Sequence, residues 1–115
     1  NTPLQALVLW NDIQFVEAAR GIAARVIREQ DHDEQRLRLL YRWITSGQLN
    51  PELQEVLQAA LEEYRDRFAR APKDAELLVS TGESPVPDGI SAVDLASWTL
   101  IANAIMSSDA AIVKD

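Results

Sequence analysis

A chain of 115 residues is long enough for one hydrophobic core and short for two. Apolar residues make up 47% and charged residues 25%, the balance of an ordinary globular protein, which excludes a disordered chain. The net charge of −7 argues against a nucleic-acid binder and a polybasic membrane contact, and the absence of cysteine excludes disulfides, thiolate metal sites, a cysteine nucleophile and covalent haem attachment within these residues.

The opening, NTPLQALVLWNDIQF, holds an apolar run far short of the roughly 20 residues that span a membrane, and no basic segment precedes it as in a signal peptide. Thr2, Pro3 and Gln5 form a capping box with proline at the first helical position, which predicts a helix ending near Trp10. Asn11 or Asp12 caps a restart, with Gln14 completing a second box, so Asn11-Asp12 reads as a corner between two helices. The start at Asn1 rather than Met reads as an excised or processed piece of something longer.

The second helix is expected over 13–30. Phe15, Ala19, Ile22 and Val26 form its apolar stripe, while Glu17, Arg20, Arg25, Arg28 and Glu29 face water. Gly21 either weakens it slightly or marks a close helix crossing. The turn DHDE at 31–34 places acids at the start of a third helix over 34–46, which carries Leu37, Leu40, Tyr41 and Ile44, with Trp43 at its edge. Gly47 reads as its C-terminal stop.

Asn50-Pro51 restarts the chain with a cap and a proline. The helix over 51–70 has the strongest periodicity, with Leu53, Val56, Leu57, Ala60, Leu61, Tyr64 and Phe68 on one side. Pro72 begins a short helix to Val79, and ELLVST at 76–81 is the only stretch that competes as a strand. STGESPVPDGIS at 80–91 holds two glycines and two prolines and reads as a loop. Ser91 with Asp94 is another capping box. It opens a helix over 92–106 that buries Leu95, Trp98, Ile101 or Ala102, Ile105 and Met106. A turn at 107–109 precedes a last short segment, 110–113. The expected fold is all-α: a compact bundle of about five to six short helices with one long Gly/Pro-containing loop, in one domain over 1–115.

Chemistry is sparse. His32 sits among Asp31, Asp33 and Glu34, and an exposed turn residue near a helix cap explains it better than a metal ligand, which needs three well-spaced partners. Asp31, Asp33, Glu62 and Glu63 read as solvated carboxylates. A Ser-His-Asp set could draw only on His32. There is no glycine-rich phosphate loop, H-E-x-x-H or calcium loop. Trp10 and Trp98 read chiefly as core wedges, Trp43 less so because Leu40, Tyr41 and Ile44 already fill that face, and any that is exposed marks an interface. Glu83 and Asp88 lie in the long loop, where ligand contacts often sit. The arginines read as helix-end and solvated charges, with Arg65, Arg67 and Arg70 as an alternative anion or partner contact. The candidate contacts are therefore Trp10, Trp43, Glu83, Asp88 and Trp98, with no catalytic, cofactor or metal residue assigned.

Taken in order, NTPLQALVLWNDIQFVEAAR, LLVSTGES and WTLIANAIMSSD resemble the DUF1553, or PSD1, domain of large planctomycete and verrucomicrobial proteins. Thr2, Pro3, Leu4, Gln5, Ala6, Leu7, Asn11, Asp12, Phe15 and Ala19 stand on its TPLQAL-x-LLND-x-x-F-x-x-x-A opening, with Trp10 replacing the commoner leucine. Gly82-Glu83-Ser84 and the Trp98–Asn103 element extend the likeness over the whole chain, although Ser107 and Ala110 replace the usual Asn and Glu of the ending. The SGQLNP segment departs from the family's R-x-P-like motif and keeps only the later proline. The resemblance implies a C-terminal domain of a large exported, periplasmic or cell-surface protein. Its partners would be upstream domains of the same polypeptide, and any c-type haem would belong to one of those. The functional expectation is a non-catalytic packing or interaction domain. The alternative is a carbohydrate-binding or polysaccharide-processing accessory that uses an exposed tryptophan with Glu83 and Asp88.

Overall fold

The computed structural model describes residues 13–82 and 85–113, with side chains over 16–82 and 85–108. The expected opening helix, Trp10 and the Asn11 cap lie outside these residues, as does Glu83. Five helices follow in order: α1 (Ile13–Glu29), α2 (Asp33–Thr45), α3 (Pro51–Arg70), α4 (Pro72–Val79) and α5 (Ala92–Val113). The expected all-α bundle with one long loop is what forms, and ELLVST closes α4 rather than forming a strand.

Local capping sets most boundaries. The Asn50 side chain accepts from the Leu53 N–H at 2.7 Å, with Pro51 at the first helical position. The Ser91 hydroxyl accepts from the Asp94 N–H at 3.1 Å and starts α5. The stop of α2 differs from expectation. Its left-handed residue is Ser46, at φ 63°, rather than Gly47. The Ser46 N–H closes onto the Arg42 carbonyl at 2.9 Å, and the Thr45 hydroxyl accepts from the Gly47 N–H at 3.0 Å.

α5 is the hub, packing against each of the other four helices. From Leu95 to Asn103 every residue is buried, so the one-sided stripe expected for it is corrected to a helix covered all round. Its hydroxyls are satisfied within the helix: Ser97 donates to Val93 and Thr99 to Leu95, at 2.7 and 2.6 Å. Among the described residues, Trp98 Nε1 and Asn103 Oδ1 are buried and meet no hydrogen-bond partner. The helix runs unbroken through 107–109, where a turn is expected, because Ser-Ser-Asp contains neither glycine nor proline and helices tolerate it.

The other helices show smaller shifts. On α1 the buried residues are Val16, Ala19, Arg20, Ala23, Ala24 and Val26, a face rotated slightly from the expected stripe. Gly21 is exposed with nothing near its missing side chain, so it marks no helix crossing. On α3, Leu57, Leu61 and Phe68 are buried, whereas Val56 falls outside the stripe and is 62% exposed.

Candidate functional site

The long loop is fastened along one helix. The C-terminus of α4 closes with the Ser80 hydroxyl donating to Glu76 at 2.8 Å and the Thr81 hydroxyl donating to Leu77 at 3.0 Å. The chain then passes through Gly82 at φ +92°, a left-handed conformation that glycine adopts without a Cβ clash. The Glu17 side chain of α1 lies over it, and a Cβ at Gly82 would stand 2.2 Å from the Glu17 carboxyl carbon.

Two arginines of α1 hold the loop's two ends. Arg20, only 2% exposed, donates from Nη1 to the carbonyls of Val79 and, at 3.2 Å, Thr81. Arg28 donates from Nη2 to the Asp88 carbonyl at 2.7 Å. The two arginines are eight positions apart on the helix, about 12 Å along its axis. The described parts of the loop, before Glu83 and after Ser84, are therefore each fastened to α1, and they meet its arginines in the same order as the chain runs. Between the pins Val86 is 46% exposed, and Leu77, just before them, is 70% exposed. Leu77, Val86 and Asp88 are thus exposed side chains within or next to the fastened segment.

A second arginine cluster ties the helix starts. Arg65 of α3 donates to both Asp33 carboxylate oxygens, at 2.6 and 2.9 Å, and to Asp94 at 3.1 Å. These bonds from Arg65 outweigh partial burial and hold the Asp33 carboxyl below its ordinary value, and the same bond to Asp33 raises Arg65. Asp33 is thus a structural ion rather than the solvated carboxylate expected. Asp94 gives its carboxylate to Arg65, so the expected box at Ser91 is a serine cap joined to an inter-helix bridge. Arg36 donates to the carbonyls of Gln30 and Ile27 at 2.6 and 3.0 Å, closing the end of α1. Arg67 and Arg70 pair with Glu63 and Asp66 in their own helix, at 3.1 and 3.0 Å, so the expected anion contact at that helix end is already occupied by carboxylates.

Of the five candidate contacts, Trp43, Asp88 and Trp98 lie among the described residues. Trp98 is fully buried in the middle of α5, which corrects its place among surface contacts. Trp43 is half-buried, and the Arg25 guanidinium sits over its ring at 5.4 Å from the centroid. Asp88 is exposed on the pinned loop. His32 is exposed at the α2 N-cap and makes no side-chain cap bond. Among the described residues, no group of three or more His, Asp or Glu side chains is placed to hold a metal ion. No described helix is long and apolar enough to cross a membrane.

Sequence reasoning misses Arg20, expecting it in water. The signal was present: Val16, Ala19, Arg20 and Ala23 stand at helical spacing on one face, which places Arg20 inside the stripe. The partners of Arg28 and Arg65 lie 60 and 29–32 residues away, so no local pattern announces them.

Fold and site together define an all-α domain whose buried and bridging charges are spent on holding helices and a loop in place. The profile of PSD1, a protein family of unknown function (DUF1553), matches residues 1–61, just over half of the chain, and the chain belongs to that family. The match corrects the resemblance drawn from sequence, which covers the whole chain and makes it a C-terminal domain. It lies in the N-terminal half and ends at Leu61, inside α3. The specific motif is the opening one; G-E-S and the spaced Trp and Asn of α5 are too short to carry a family assignment. No curated protein and no solved structure matches the chain.

Proposed function

We propose that this chain is a non-catalytic helical packing or interaction domain, docking through the pinned loop onto other domains of a larger exported polypeptide. The observation that carries this reading is the fastening of Val79 by Arg20 and of Asp88 by Arg28, with Leu77 and Val86 exposed close by in sequence. A loop ordered before binding loses less conformational entropy on docking, and exposed apolar side chains on a rigid support are what a partner surface covers. The exported setting rests on the family resemblance alone.

The test is co-purification of this chain with the remainder of its encoded polypeptide, expressed separately. Association is expected, and Leu77→Lys with Val86→Lys should weaken it by roughly tenfold or more while leaving helicity unchanged. No association, or association indifferent to both changes, would overturn the reading.

The polysaccharide alternative keeps one observation. Trp43 and Asp88 both contact arginines of α1, Arg25 and Arg28, which stand one turn apart. Retardation on neutral or acidic polysaccharide gels that Trp43→Ala removes would favour it over the docking reading.

A further inference from the structure

We infer that this chain associates head to tail with a second copy of itself, the acidic outer face of α3 on one copy seated in the arginine-rimmed groove beside α2 on the next. The groove lies where the end of α1 meets α2. It has a volume of about 290 Å³ and is lined by Gln30, Gln35, Arg38, Leu39 and Arg42. Leu39, half-buried, gives it an apolar patch, and exposed Arg38 and Arg42 carry the charge. The Arg38 bond to Glu34 of its own helix is solvent-exposed, so exchanging that partner costs little.

The complementary surface is on the same chain. Val56 projects from α3 at 62% exposure. Glu52 precedes it by one turn on the same face, with Glu55 and Ala59 beside it, all exposed, while Glu63, a further two turns on, is paired with Arg67 of its own helix. An apolar knob among glutamates meets an apolar patch among arginines, so both hydrophobic and electrostatic terms favour the pairing. One molecule cannot satisfy both halves itself. α3 packs inward through Leu57 and Leu61, which leaves the Val56 face pointing away from the bundle. A sugar fits the groove less well, because Leu39 is aliphatic and one face of nearby Trp43 is already covered by Arg25. Two different surfaces make the contact heterologous, so it generates rings or short chains rather than a closed two-fold dimer.

Sedimentation velocity on the 115-residue chain tests this. At low ionic strength the sedimentation coefficient should rise with concentration, and added salt should suppress the rise. Arg38→Glu with Arg42→Glu, and separately Glu52→Arg with Glu55→Arg, should each leave a monomer with an unchanged circular dichroism spectrum. Mixing the groove-reversed variant with the ridge-reversed one is the decisive arm. Each keeps charges matched to the other's reversed surface or its intact one, so association should return in the mixture and be absent from either variant alone. A wild-type chain monomeric throughout would overturn the inference, as would self-association that survives both reversals. Binding of a polyanion at Arg38 and Arg42 by a monomeric wild-type chain would assign the groove to another partner and overturn it equally.

Discussion

Arg20 is the residue on which the loop depends. Its guanidinium is buried, and its bonds to Val79 and Thr81 supply donors to carbonyls at the point where α4 ends. Replacing it with leucine keeps the bulk but removes those donors. The expected cost is about 2–4 kcal/mol, or a fall of roughly 10 °C or more in Tm by thermal circular dichroism. Lysine should recover only part of this, since one ammonium cannot reproduce the geometry of a planar fork. Hydrogen exchange should quicken in 79–82 before the rest of the chain. A loss spread evenly over all helices would mean that Arg20 serves the core and not the loop. At this scale the sequence is half-legible. Apolar side chains announce themselves by spacing, so Leu37, Leu40, Leu61 and Trp98 are found in the core as their periodicity suggests. A buried arginine looks in sequence like any surface charge until its partners, some sixty residues away, are known.

Between elements, the bridge from Arg65 to Asp33 and Asp94 fixes the N-termini of α2 and α5 against the side of α3. Its pH dependence has a definite sign. The folded-state pKa of Asp33 is depressed, so its contribution is fully present above the unfolded value of about 3.9 and is lost as pH falls through the folded value. The side chains are partly exposed, so the bridge contributes on the order of 1 kcal/mol at neutral pH. Denaturant melts of wild type and Asp33→Asn should differ by about that amount at pH 7, and the difference should shrink as pH falls below the ordinary carboxylate value of about 3.9. A difference that persisted at acid pH would assign the effect to packing. The helices themselves are legible because their stops and starts are local chemistry. Asn50-Pro51, Pro72 and Ser91 act within one turn, and the boundaries they set agree with those observed. The length of α5 is less legible, since Ser-Ser-Asp resembles a turn in sequence although nothing in it breaks a helix.

For the whole molecule, the family boundary and the folding boundary do not coincide. The PSD1 match ends at Leu61, in the interior of α3. Of the twenty buried apolar residues among those described, eleven lie beyond that position, including Trp98, Ile101 and Phe68. The faces that α1 and α2 turn inward are covered chiefly by α5, which comes from the unmatched half. A chain cut after Leu61 would leave Val16, Ala23, Leu37 and Leu40 facing water, along with half of α3. Isolated short helices are marginal in water, and so small a core cannot offset chain entropy. The truncated chain should therefore show reduced helicity and a broad, non-cooperative thermal transition, whereas the 115-residue chain should melt in a single step. Adding residues 62–115 as a separate chain should restore cooperativity if α5 completes the core. A cooperative melt from 1–61 alone would instead make the matched half a folding unit of its own, and α5 a cover laid over it.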